Sequence, residues 1–62
     1  MRLVSQFENL DEDISADVFC DTSTDEYIVE FFQGCVHLEI KDFYTSSYAD
    51  ARRKALQYVE PS

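Results

Sequence analysis

Between Tyr27 and Ile40 the chain reads YIVEFFQGCVHLEI, two apolar-rich runs on either side of Gln33-Gly34. Glycine in a two-residue loop supplies the positive φ that a tight hairpin needs, so the pattern predicts a β-hairpin. With Gln33 and Gly34 as the loop, Phe31 pairs with Val36, Val29 with Leu38 and Tyr27 with Ile40. All of these side chains are apolar, and a slip of one residue would drive a mixed set into the core instead. That mixed set, on the opposite face, is Phe32 with Cys35, Glu30 with His37 and Ile28 with Glu39.

Asp13 to Asp21 alternates in the same way, with Ile14, Ala16, Val18 and Cys20 on one side and Ser15, Asp17, Phe19 and Asp21 on the other. Period two is the mark of a half-buried strand, and the polar turn Thr22-Ser23-Thr24-Asp25 returns the chain into the hairpin. Further on the period changes. Ser47 is a candidate N-cap with Asp50 three residues later to complete a capping box, and Tyr48, Ala51, Ala55, Leu56 and Val59 form a stripe at helical spacing before Pro61. A helix is therefore expected from Tyr48 to about Val59. Its small Ala51 and Ala55 suit close approach to the sheet face that carries Tyr27, Val29, Phe31, Val36, Leu38 and Ile40.

Residues 1–14 read two ways. Leu3, Phe7, Leu10 and Ile14 recur as on one face of a short helix, whereas Arg2-Leu3-Val4 can equally extend as a strand. A short N-terminal helix or turn is the expectation. The fold class predicted for residues 1–62 is thus a single α+β domain: a three-stranded antiparallel β-meander with a C-terminal α-helix on one face.

The second sheet face then presents Phe19, Ile28 and Phe32 among Asp17, Glu30, His37 and Glu39. Three large apolar groups ringed by acids exceed what a face turned only to water calls for. Either the N-terminal Leu3, Val4, Phe7 and Leu10 fold back over them, or a second copy of the chain or another partner docks there. These seven residues are the candidate partner-binding set.

Composition and charge sharpen that choice. The 62 residues are 45% hydrophobic and 15% aromatic, too rich for a disordered chain, and a single core is the limit at this length. No apolar run is long enough for a membrane span, and the N-terminal MRLVSQFENL lacks the features of a signal peptide, so a cytoplasmic protein is expected. Cys20 and Cys35 fall at opposite ends of the expected sheet, which predicts free thiols and a reducing compartment.

Thirteen acids face five bases, for a net charge of −8. Residues 1–40 hold ten acids and one base (−9), and residues 41–62 hold three acids and four bases (+1). A surface this acidic disfavours direct nucleic-acid binding, which needs basic groups against phosphates. A larger protein with a basic surface is the partner expected.

Candidate chemistry changes the picture little. Cys35, His37 and Glu30 could share the second face, but a zinc site usually has four ligands and no second Cys-His pair exists; a Glu30–His37 ion pair is the expected content. The only glycine is Gly34, so there is no EF-hand loop and no phosphate-cradling loop. Arg52, Arg53 and Lys54 read as the solvated face of the helix. One His and two scattered Cys leave few catalytic options, so no metal, no cofactor and no enzymatic activity are expected. In size, charge and its hairpin followed by a helix the chain resembles the small acidic proteins with which bacteriophages inhibit host RNA polymerase, nucleases or CRISPR complexes. That resemblance implies action in a host cytoplasm on a nucleic-acid-binding protein, and it assigns no residue a role.

Overall fold

The N-terminal segment is a strand. In the computed structural model, which describes residues 1–60, Arg2–Asn9 (β1) pairs antiparallel with Ile14–Asp21 (β2), and β2 pairs with Glu26–Gln33 (β3). The far edge of β3 is taken first by the short Val36–His37 (β4) and then by Phe43–Thr45 (β5), with a 3-10 turn at Glu39–Lys41 between them. A helix, Tyr48–Val59 (α1), follows. The sheet therefore has five antiparallel strands, where three were expected, and one helix lies on it.

The helical spacing at the N-terminus has a different origin. The ladder shifts between Leu3 and Ser5, so Val4 is an extra residue, a bulge that turns Leu3 to one face and Phe7 to the other. Leu10 belongs to the following turn and is exposed. The segment extends the sheet and does not fold back to cover it.

Both long hairpins close with four residues and end on an aspartate in the left-handed region. Asp13 has φ 56° and Asp25 φ 57°, a conformation in which Asp and Asn are better tolerated than other L-residues. In the β2–β3 turn Asp25 N–H donates to the Asp21 carbonyl at 2.9 Å, and the Asp21 carboxylate accepts from the backbone N–H and the hydroxyl of Ser23.

The third hairpin turns one step later than its sequence suggested. Gln33 pairs with Val36, so the loop is Gly34-Cys35, with Gly34 at φ 59° in the first loop position, where a type II′ turn places glycine. Gln33 cannot be loop because it is held in the β2–β3 ladder opposite Ile14, and Gly34 N–H donates to the Asp13 carbonyl at 2.7 Å. Phe31 consequently bonds Leu38, not Val36, and Val29 faces Phe43, not Leu38. The slip is two residues, so the faces survive it.

Those faces would not survive continuation of the same ladder. It would carry Ile40 opposite Val29 and Asp42 opposite Tyr27, setting a carboxylate on the side the helix covers. The 3-10 turn inserts an odd number of residues, which reverses the alternation and brings Phe43 beside Val29. Ile40, expected in the core, is 97% exposed, and Val36 is 62% exposed.

Ala16, Val18, Val29, Phe31, Ala51, Ala55 and Val59 form the core, with Val4, Phe7, Tyr27, Phe43 and Tyr58 packed against it. Ala51 and Ala55 are fully buried, so the helix backbone lies close over β2 and β3. The Ser47 hydroxyl accepts the Asp50 N–H and caps the helix, but the Asp50 carboxylate reaches Arg53 and does not complete a capping box. Tyr48 is partly exposed, packs against Tyr27 with ring centres 5.5 Å apart and planes tilted by 56°, and hydrogen-bonds the Ser5 hydroxyl. Asn9 Nδ2 donates to the Val59 carbonyl at 2.8 Å, tying the end of the helix to β1. Pro61, expected to end the helix, lies outside the described residues.

Candidate functional site on the open sheet face

Strand register places the side chains of the uncovered face in rows. Leu3 lies opposite Phe19, Phe19 opposite Ile28, and Ile28 opposite Tyr44, one apolar row that crosses β1, β2, β3 and β5. At a strand spacing of 4.7–4.9 Å the row runs for roughly 14 Å. Leu3 is 44% exposed and Tyr44 61% exposed, and Phe19 and Ile28 are half-buried between them. No element of the described residues packs over this face.

Acids flank the row on both sides. Asp17 stands opposite Glu30, and Asp21 opposite Glu26. Four residues along the strands separate the two pairs, roughly 13 Å. None of the four acids has an ion-pair partner among the described residues, where the pairs are His37–Asp42 and Arg53–Asp50. Gln6 donates to Asp17 at 3.3 Å, and Ser23 serves Asp21. These two Ser23 hydrogen bonds, the hydroxyl's first, hold the Asp21 carboxyl below its ordinary 3.8. The arginines and lysines lie elsewhere, Arg52, Arg53 and Lys54 on α1, Lys41 toward the Tyr58 ring, and Arg2 in register with Cys20 on the helix side, whereas the N-terminal ammonium acts on Asp21 and adds to the lowering of its pKa.

Beyond the Asp17–Glu30 pair a third row runs Glu8, Ser15, Phe32, His37. Phe32 and His37 stack, with ring centres 5.1 Å apart and planes 28° from parallel. His37 Nε2 lies 2.9 Å from Asp42 Oδ1. The Asp42 hydrogen bond raises the His37 pKa above 6.5, outweighing desolvation, and the charges of Asp42, Glu30 and Glu39 add to the rise. Glu30 approaches the same point: among the described residues Glu30, His37 and Asp42 have ligand atoms within 4.8 Å of one another. The expected cross-strand pair of Glu30 with His37 is thus replaced by Phe32 as the cross-strand neighbour and Asp42 as the charge partner.

Asp17, Phe19, Ile28, Glu30, Phe32 and His37, named from sequence, lie together on this face. Glu39 does not, because it opens the 3-10 turn, and Tyr44 takes the place opposite Ile28. Leu3, Tyr44, Glu26 and Asp42 were missed. Tyr44 and Asp42 depend on the phase reversal between β4 and β5, and Leu3 on the Val4 bulge; Glu26 alternates with Ile28 and could have been included. Both cysteines are free, Cys20 beside Tyr27 near one end of the sheet and Cys35 in the turn at the other.

A cavity of about 330 Å³ lies on the other side of the sheet, lined by Phe31, Lys41, Phe43, Lys54, Gln57 and Tyr58. Its lysines already rest over rings, Lys41 Nζ at 6.0 Å from the Tyr58 centre and Lys54 Nζ at 5.3 Å from that of Phe43. Lysine stems laid along apolar surface are what that geometry provides. Comparison with protein-family models, curated proteins and solved structures finds no match.

Proposed function

We propose that this chain is a small, non-enzymatic interaction module whose open sheet face seats a basic segment of a larger protein. The observation that carries this reading is an uncovered apolar row bracketed by two acid–acid pairs, Asp17–Glu30 and Asp21–Glu26. Like charges directly opposite one another destabilise an antiparallel pair by a few tenths to about 1 kcal/mol. Two such pairs around an apolar row whose ends, Leu3 and Tyr44, are exposed fit a surface that serves binding at the expense of stability. A segment with apolar side chains flanked by Lys or Arg at roughly 13 Å would cover the row and neutralise both pairs.

A second copy of the chain is a poor occupant of this face, because face-to-face packing sets acid rows against acid rows. The non-enzymatic reading is supported by the position of Cys35, the nucleophile candidate of the sequence, in a turn outside the group that Glu30, His37 and Asp42 form. The free thiols suit a reducing compartment such as the cytoplasm. The narrower form of the reading takes a nucleic-acid-binding protein as partner, as in the phage inhibitors, with paired carboxylates standing where phosphates would.

Titration of ¹⁵N-labelled protein with a peptide that alternates Lys or Arg with apolar residues tests the reading. Amide shifts are expected around Leu3, Asp17, Phe19, Ile28, Glu30 and Tyr44, fading as ionic strength rises toward about 0.5 M. Shifts centred on α1, or none at low salt, would overturn it.

A further inference from the structure

We propose that Glu30, His37 and Asp42 form a binding site for one divalent cation of the zinc and cobalt class. The site lies beside the apolar row but does not depend on a partner docking there. Its donors come from three places in the chain: β3, β4, and the residue between the 3-10 turn and β5. Their ligand atoms lie within 4.8 Å of one another. Donors bound to one ion at about 2.1 Å sit roughly 3–4 Å apart, so His37 Nε2 and Asp42 Oδ1, at 2.9 Å, are already close to the spacing an ion requires. An ion bound there replaces the His37–Asp42 hydrogen bond, with Nε2 free of its proton and the ring turned slightly off the Nε2···Oδ1 line, and the Glu30 carboxylate swings inward about its own side-chain torsions.

Two further features support the site. Stacking on Phe32 fixes the plane of the imidazole, which limits the entropy lost when the ring becomes a ligand. The second is the broken strand. The 3-10 turn leaves Ile40 97% exposed, an unfavourable place for isoleucine, and the same turn delivers Asp42 to His37 on the open face. Strand irregularities of this kind occur next to sites where a side chain must be re-aimed. The His37 side chain is 30% exposed and that of Asp42 18%, enough shielding to strengthen the ion's attraction and enough access for water to complete its shell. One imidazole with two carboxylates suits Zn²⁺ and Co²⁺; Ca²⁺ and Mg²⁺ favour all-oxygen shells.

The test is Zn²⁺ calorimetry and Co²⁺ visible absorption on the Cys35→Ser protein, which removes the exposed thiol as a competing ligand. The expected result is saturable binding of one equivalent, with the His37 ring resonances moving in step. His37→Gln, Asp42→Asn and Glu30→Gln should each weaken it by at least about tenfold with far-UV circular dichroism unchanged. Glu30→Gln preserves side-chain shape and leaves both members of the His37–Asp42 pair in place, so it reports on binding even if the other variants lose structure. Absence of saturable binding at millimolar metal, or affinity unchanged in all three variants, would overturn the site.

Discussion

At the β2–β3 turn, Asp21 and Asp25 do different work with the same side chain. Asp25 occupies the left-handed region at φ 57°, and Asp21 gathers the local donors, accepting from Ser23 N–H at 3.0 Å and Ser23 Oγ at 2.7 Å. A carboxylate that accepts hydrogen bonds in the folded state holds its proton less tightly than in the unfolded chain. Its folded pKa is lowered, so its contribution to stability is fully present above the unfolded value and fades as pH falls through the folded one. Ser23→Ala removes the larger of the two interactions. In a carboxyl ¹³C titration Asp21 should titrate below 3.8 in the parent and move back up toward that value in the variant. An unchanged titration would show that Ser23 Oγ does not hold it.

At the scale of elements, the informative feature is the interruption between β4 and β5. Continuing the β3–β4 ladder would hide Asp42 beneath the helix; three inserted residues bring Phe43 there and put Ile40 in water. Burial then predicts opposite tolerances for two aliphatic residues that look alike in sequence. Ile40→Ser should change stability by no more than about 0.5 kcal/mol, as a surface substitution does. Val29→Ala, at a fully buried site, should cost about 2 kcal/mol by chemical denaturation. Equal costs would mean that the strand runs on without a break.

The same elements define what could be read from the chain. The alternation from Ile14 to Asp21, the Ser47 cap and the Ala51–Ala55 spacing were legible because each rests on local period or local hydrogen bonding. The face shared by Asp17, Phe19, Ile28, Glu30, Phe32 and His37 followed from that alternation, and a hairpin slip of two residues left it intact. What was not legible are the places where period two changes phase, at Val4 and at Glu39–Lys41. Each is a single local event with no repeating signature, and each is decided by tertiary packing: Phe7 and Phe43 must reach the core. A shift from apolar even positions at Val36 and Leu38 to an apolar odd one at Phe43 is the trace the sequence carries.

Over the whole molecule, charge and covering element are segregated. Arg52, Arg53 and Lys54 ride on α1, and Asp17, Glu30, Asp21 and Glu26 stand on the bare side of the sheet. The apolar row between the two acid pairs has no helix over it, and neither acid pair forms a salt bridge among the described residues. Each of these oppositions can be relieved by one substitution. Under the proposed function they are a stability cost that binding offsets.

That opposition is measured most directly in the double variant Asp17→Asn, Glu26→Gln, which keeps both side-chain shapes, retains an acceptor for Gln6 and leaves the Ser23–Asp21 interaction in place. Denaturant unfolding at low salt and titration with the basic amphipathic peptide are run on the same samples. A gain of about 1 kcal/mol in stability, roughly 5 °C in Tm, together with weaker peptide binding is the predicted result. A variant that is less stable than the parent, or one that binds the peptide as tightly, would contradict the account.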